Sequence, residues 1–300
     1  MSPGAASRLA ALHERGALSV TSDLHPPRGT DFSAFRRGAE ALEGLVDAVF
    51  VTESPGAVVR MGSLSGCIYL ILETSLEPVL QMVCVRSNRI ALQGELLGAA
   101  AWSVRNLLLL GGDSSRYGND PRAQDVRCLD TPDLIRLACA MRDQGVLSDG
   151  APFEGKAPFY IGAAVDPFGT PEERERTRRK LESGAEFLVT QPVFDVDAFA
   201  TWCEETGSEL GKARLIAGVL VLGSARAASR LSGRLPGMRI PEGILRRLEE
   251  AEDPVREGIE IAAETAAELS RIPRIAGIHF MNASGPENAA AAIRLSGLRT

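Results

Sequence analysis

Eight short apolar runs, alternating with amphipathic helical stretches, predict a (β/α)8 barrel. Most of the runs are apolar on both faces, as parallel strands covered by helices and packed inside are. No GxGxxG fingerprint follows the first run, so the rival open, doubly wound sheet loses its main support. A single barrel also accommodates the whole length, 1–300, because a fold of this type takes roughly 250 residues or more.

The strands are read at 17–23 (ALSVTSD), 47–52 (DAVFVT), 79–85 (VLQMVCV), 105–110 (RNLLLL), 159–165, 186–190 (EFLVT), 214–220 (RLIAGVL) and 275–280 (IAGIHF). Helical spacing fills 33–45, 59–72, 88–102, 131–144, 171–183, 195–206 and 224–232. The seventh connection is longer, at about 224–274, with further helical stretches at 241–250 and 253–271. Local signals mark several ends. Thr170-Pro171-Glu172-Glu173 joins a cap, a proline at the first position and early acids, and Ser183-Gly184 supplies a left-handed stop. The longest irregular stretch, 111–130, follows the fourth strand and so belongs to the catalytic end of a barrel. The 145–158 stretch follows a helix and belongs to the other end.

Composition removes several function classes. Lys plus Arg total 33 against 39 Asp plus Glu, a net charge of −6, which argues against a nucleic-acid footprint. Three histidines (13, 25 and 279) and five cysteines without CxxC spacing argue against a multi-histidine or zinc site. No apolar run approaches the roughly 20 residues of a membrane span, and the N-terminus has no compact signal core. The expectation is a reduced, cytoplasmic protein.

Barrel chemistry gathers at strand C-terminal ends. Here those ends present Asp23, Thr52, Gln81, Gly111-Gly112-Asp113, Asp166 and Gln191, with His279 on the last strand. Short polar groups of this kind suit the edge of a heteroaromatic ligand. Arg28, Arg86 and Lys180 are the cations near enough for a diphosphate or a carboxylate tail. Each residue also has a plainer reading. Gly111-Gly112-Asp113 is equally a capped turn, Lys180 a solvated charge, His279 a core histidine, and Cys84 a small buried residue. Taken alone, the pattern yields a small-molecule barrel enzyme without a reaction.

DLHPPRG (23–29), RMGSL (60–64), LQGELLGAAAWSVRNLLLLGGD (92–113), GAAVDP (162–167), KLESGAEFLVTQPVFD (180–195) and IPEGILRRL (240–248) resemble, in order and spacing, the methylenetetrahydrofolate reductase family. The similarity is greatest to the reductase half of bifunctional homocysteine methyltransferase proteins, and it covers about 20–285. It implies a barrel oxidoreductase of one-carbon metabolism and methionine biosynthesis, in which NAD(P)H reduces FAD and a hydride passes to the folate's one-carbon bridge. By the same resemblance Asp23 is the acid that opens the bridge, standing where glutamate is usual. Asp113 binds the pterin beside the flavin and Gln191 bonds the folate, with His279 a further substrate contact. Thr52, Gln81, Gly111, Gly112, Asp166 and Lys180 hold the flavin. An acid in that role needs a pKa raised by burial.

Departures from the family pattern are Gln81 for a frequent histidine, Arg86-Ser87-Asn88 for an Asp-Arg-Asn run, Val221 for proline and Ala225 for an aromatic residue. Asp23 in place of glutamate and the altered loop after the third strand motivate an alternative, a diverged folate- or flavin-binding paralogue or a subunit of a larger methyl-transfer complex. A flavin barrel acting on another amine is a third reading, opposed by Asp113 and Gln191. A homo-oligomer or an electron-supplying partner subunit is also expected, and neither nucleic acid nor membrane.

Overall fold

The computed structural model describes residues 7–232 and 240–299. Eight parallel strands close into a barrel in sequential order: β1 (Ser19–Leu24), β2 (Ala48–Val51), β3 (Pro78–Val83), β4 (Asn106–Leu110), β5 (Tyr160–Val165), β6 (Phe187–Pro192), β7 (Arg214–Leu220) and β8 (Ile275–Met281). Ser19↔Gly277 to Ser22↔Phe280 is the register that joins the last strand to the first. Every strand expected from the sequence is present.

Helices follow each strand. They are α2 (Ser33–Leu42), α3 (Ser63–Glu73), α4 (Arg89–Ala101), α5 (Thr131–Asp143), α6 (Pro171–Glu182) and α7 (Val196–Leu210). The long seventh connection carries α8 (Ala225–Ser232), α9 (Glu242–Glu250) and α10 (Pro254–Leu269); its 233–239 part lies outside the described residues. A helix absent from the sequence reading, α11 (Pro286–Leu295), completes the eighth unit and packs on α2 and α10. The expected start of α3 at 59 is corrected to Ser63, because 52–62 is spent on a loop. A capping box of Asp130 and Asp133 starts α5, at the residue where the sequence places the helix start. Thr170 stands at the α6 cap without a side-chain bond.

Strand alternation divides the apolar residues into two sets. Val20, Leu24, Leu80, Met82, Leu107 and Leu109 face the helices in the main core. Ala48, Phe50, Val79, Leu108, Tyr160, Phe187, Val189 and Ile216 fill the barrel, so the interior is packed rather than hollow. Gly162 belongs to this filling: a Cβ there would stand 2.2 Å from the Phe187 ring.

A second helix missed in the sequence, α1 (Arg8–Glu14), closes the barrel floor with Leu9 and Ala10. Ser7 caps it by accepting from the Ala10 amide at 3.0 Å, and the Glu77 carboxylate accepts from the Arg8 and Leu9 amides at 3.0 Å each. A carboxylate there also complements the helix dipole. His13 reaches the Tyr160 hydroxyl at 2.8 Å and the Ser19 hydroxyl at 2.9 Å.

Two buried imidazoles give stability a pH dependence. Burial, aided by Arg214, drives His13 down to about 4. Burial also drives His279 down to about 4, against the raising influence of Asp23. Unfolded, both bind a proton near pH 6.5. Their stabilisation is therefore fully present above that pH and is lost as the pH falls through about 4, by about 3 kcal/mol per group. Glu95, pushed up to about 7 by burial and then by Glu53, acts in the opposite sense, so a variant must isolate the effect. In chemical denaturation, the stability difference between wild type and His13→Gln should shrink as the pH drops from neutrality. A difference independent of pH contradicts a buried neutral His13.

Candidate active site at the barrel mouth

The C-terminal ends of β1 to β6 bring Asp23, Thr52, Gln81, Asp113, Asp166 and Gln191 to one mouth. Asp23 is the deepest carboxylate there, only 9% exposed. One of its oxygens accepts from the Asn282 amide at 3.0 Å, and the Asn282 side chain donates to the Asp23 carbonyl. Asn282, one residue beyond β8, thus fixes the acid's orientation. Its place just past a strand end was the signal available in the sequence. His279 is not in the mouth. It lies in the layer beneath Asp23, bonded through Nδ1 to Thr21 at 3.0 Å, with its ring centroid 4.5 Å from that of Phe50. Burial keeps it neutral, and it supports the acid from below.

The β6 end is bulged. Val189 pairs with Ile216 and Pro192 with Gly218, so three steps on β6 match two on β7. The Gly218 amide donates to the Thr190 hydroxyl at 2.8 Å, and that hydroxyl donates to the Gln191 carbonyl at 2.7 Å. Bulges re-aim side chains beside active sites, and this one leaves Gln191 exposed. Gly218 permits it, since a Cβ would lie 2.7 Å from the Thr190 carbonyl oxygen.

A loop after β2 lies against the loop after β4. Ser54 and Ala57 hold positive φ of 43° and 54°, a conformation that non-glycine residues adopt only when their surroundings impose it. Asp113 accepts from the Gly56 amide at 2.7 Å, and Asn119 from the Val59 amide at 2.8 Å. Arg86 donates to the Glu53 and Ser54 carbonyls at 3.0 Å each. Arg86 therefore holds this loop and is not the unengaged cation expected for a diphosphate. Asp113 spends one oxygen on the loop and is exposed at the mouth. Gly112, at φ +85°, has Val83 and Val85 where a Cβ would stand, at 2.7–2.8 Å; protein packing alone requires glycine there. Gly111 accepts from the Val85 amide at 3.1 Å.

Thr52 is buried and meets His25 Nδ1 at 2.8 Å, so its hydroxyl is already engaged. Asp166 accepts from the Phe168 amide at 3.0 Å, while burial pushes its carboxyl up. Lys180 is half-buried rather than a solvated charge: Nζ donates to the Ala164 carbonyl at 2.8 Å, and burial lowers its pKa. Cys84, just past β3, is buried in the main core with its thiol pushed up by burial, an inert setting. Val59, Tyr117, Val126 and Phe168 on the surrounding loops are exposed apolar groups. No helix among the described residues is long and apolar enough to cross a membrane.

Similarities to known proteins bear on the fold and the family. Among solved structures, a protein from Clostridium thermocellum that binds two copies of 5-methyl-5,6,7,8-tetrahydrofolic acid superposes with a TM-score of 0.63 at 13% identity, covering 95% of each chain. Phosphonopyruvate hydrolase gives 0.52 at 13% identity, covering 96% of this chain and 83% of its own. A 2,3-dimethylmalate lyase gives 0.53 at 14%, covering 95% and 83%. At such identities these similarities show the barrel fold. Methylenetetrahydrofolate reductase 2 of Saccharomyces cerevisiae is 26% identical over 119 residues, 37% of this chain and 19% of the yeast protein. The chain therefore matches only about a fifth of that relative's length. The family model of methylenetetrahydrofolate reductase matches residues 8–294, nearly the full length, and the chain belongs to the methylenetetrahydrofolate reductase family.

Proposed function

We propose that this barrel interconverts 5,10-methylenetetrahydrofolate and 5-methyltetrahydrofolate by hydride transfer, with FAD as the bound carrier and NAD(P)H as the electron source. The observation that carries the reading is the clamped, nearly buried Asp23 at the base of a mouth rimmed by Gln191 and Asp113. Opening the folate's five-membered ring requires a proton on the departing amine nitrogen. Asp23 is the group placed to hold and deliver it, and Asn282 keeps it aimed. A carboxylate oxygen of Asp113 accepts from the N–H groups of a pterin edge, while the Gln191 amide both donates and accepts there. The exposed apolar groups on the rim offer flat contact to the rings. Arg28 and Arg60 are cations beside the β1 and β2 loops. Arg60 donates one terminal N–H to the Pro26 carbonyl at 2.8 Å, and its other terminal N–H groups are available to a carboxylate tail.

The mouth fits the flavin on three counts. The Gln81 side-chain amide has no hydrogen-bond partner among the described residues. Lys180 uses one of its three N–H donors, leaving two for a phosphate. Asp166, its carboxyl raised by burial, can meet a ribose hydroxyl. When bound, FAD supplies the hydride. Gln81 and Asp113 would hold the ring edge, and Lys180 with Asp166 the phosphate-sugar part.

One observation favours a second reading, a folate-binding paralogue without flavin: Arg86 and Thr52 are already engaged within the protein. The visible spectrum of the purified protein separates the two. The expected result is a flavin band that bleaches on anaerobic addition of NADH or of 5-methyltetrahydrofolate. A colourless protein that binds folate overturns the flavin part of the proposal.

A further inference from the structure

A cavity of about 1140 Å³ lies at the end of the barrel opposite the mouth. It opens where β4 to β7 begin, between α1 and the 145–158 loop. Barrel floors ordinarily serve stability, yet beside α1 this one leaves an open, charged cavity. Five cations line it (Arg105, Arg142, Lys156, Lys212 and Arg214) against two carboxylates, Glu14 and Glu186. The whole chain, by contrast, carries a net charge of −6.

Arg142 is spent: it binds Glu186 at 2.6 Å and Asp143 at 2.7 Å. The other four have no carboxylate within 4.0 Å among the described residues, whereas many surface arginines of this protein are paired. Arg214 opens β7 on the same strand face as Ile216, which belongs to the barrel filling, so its side chain leaves the strand on the barrel side. Met141, Ala157 and Pro158 add apolar wall. The volume is far more than an inorganic phosphate needs and slightly exceeds the usual range of small-molecule sites, roughly 300–1,000 Å³. Clustered like charges without partners raise the local concentration of counter-ions.

We propose that this floor cavity is a second binding site, for a small polyanion that carries a flat ring, of the nucleoside polyphosphate type. The cluster Arg105, Lys156, Lys212 and Arg214 takes the charged part, and the apolar wall takes the ring. The site is separate from the mouth and does not depend on the folate reading.

Calorimetric titration of the full chain with ATP tests it, with adenosine and inorganic triphosphate as controls. ATP should bind saturably and more weakly as salt rises. Adenosine should give no binding, and triphosphate weaker binding. The Arg105→Ser/Lys212→Ser double variant should lose about tenfold or more in ATP affinity, a change of about 1.4 kcal/mol, with its unfolding transition unchanged. Lys156→Glu, on an exposed position, gives an independent loss if the double variant misfolds. Lys180→Met, at the mouth, should leave ATP binding as it is. Absence of ATP binding overturns the proposal. So does binding that survives the floor variants, or binding that Lys180→Met abolishes, which would put the nucleotide at the mouth.

Discussion

Asp23→Asn is expected to lower folate turnover by about 10²–10⁴-fold, the usual contribution of a positioned general acid, while folate affinity stays within a few-fold of wild type. Asparagine keeps an oxygen to accept from the Asn282 amide, so the mouth retains its shape and only the transferable proton is removed. Reduction of bound flavin by NADH needs no proton from this residue and should continue at its normal rate. Asp23→Glu extends the carboxyl by about 1.5 Å and should keep the reaction running, because glutamate is the usual residue in the family. Steady-state turnover and equilibrium folate binding, measured on the same preparations, check this. Retention of wild-type turnover by Asp23→Asn would assign the proton to another group.

The largest expected effect on stability comes from Phe187→Ala. Phe187 is fully buried in the barrel, with its ring centroid 4.9 Å from Tyr160 and 6.4 Å from Phe50 in an edge-to-face pair. It also occupies the space left by Gly162. Truncation removes the ring from a site whose walls are strands of a closed barrel and cannot collapse inward, so the loss should be about 3–5 kcal/mol. Against a total of roughly 5–15 kcal/mol for a typical domain, that is a large fraction. A change under about 1 kcal/mol in denaturant unfolding contradicts the packed interior described here.

The strands were legible in the sequence because burial on both faces writes itself locally, as in NLLLL or RLIAGVL. The closing helices were less so. RLAALHE of α1 is only seven residues long, and its apolar face has a purpose only once a barrel floor exists above it. PENAAAAIRL of α11 is rich in alanine and carries few large apolar groups to mark a period. Within the mouth, Asp23, Gln81 and Gln191 could be placed from their positions at strand ends. The use of Arg86 on two carbonyls of the β2 loop could not, since those partners are 32 and 33 residues away in sequence. The bulge at Thr190 depends on a glycine 28 residues further on. In the sequence His279 admits both a core role and a substrate contact. The structure places it in the core beneath Asp23, where Thr21 and Phe50 already surround it. Lys180 departs from its plainer reading in the other direction: a helix rich in arginine and glutamate still turns this one amine inward to the Ala164 carbonyl.

The central claim, that this barrel moves a hydride onto the one-carbon bridge of folate, is tested most directly by anaerobic incubation of the protein with NAD(P)H and 5,10-methylenetetrahydrofolate. The measurement follows nicotinamide oxidation and 5-methyltetrahydrofolate formation together. The expected result is one 5-methyltetrahydrofolate formed for each NAD(P)H consumed, abolished in Asp23→Asn. Folate binding with no methyl product, with added FAD present and in either direction of the reaction, would contradict it.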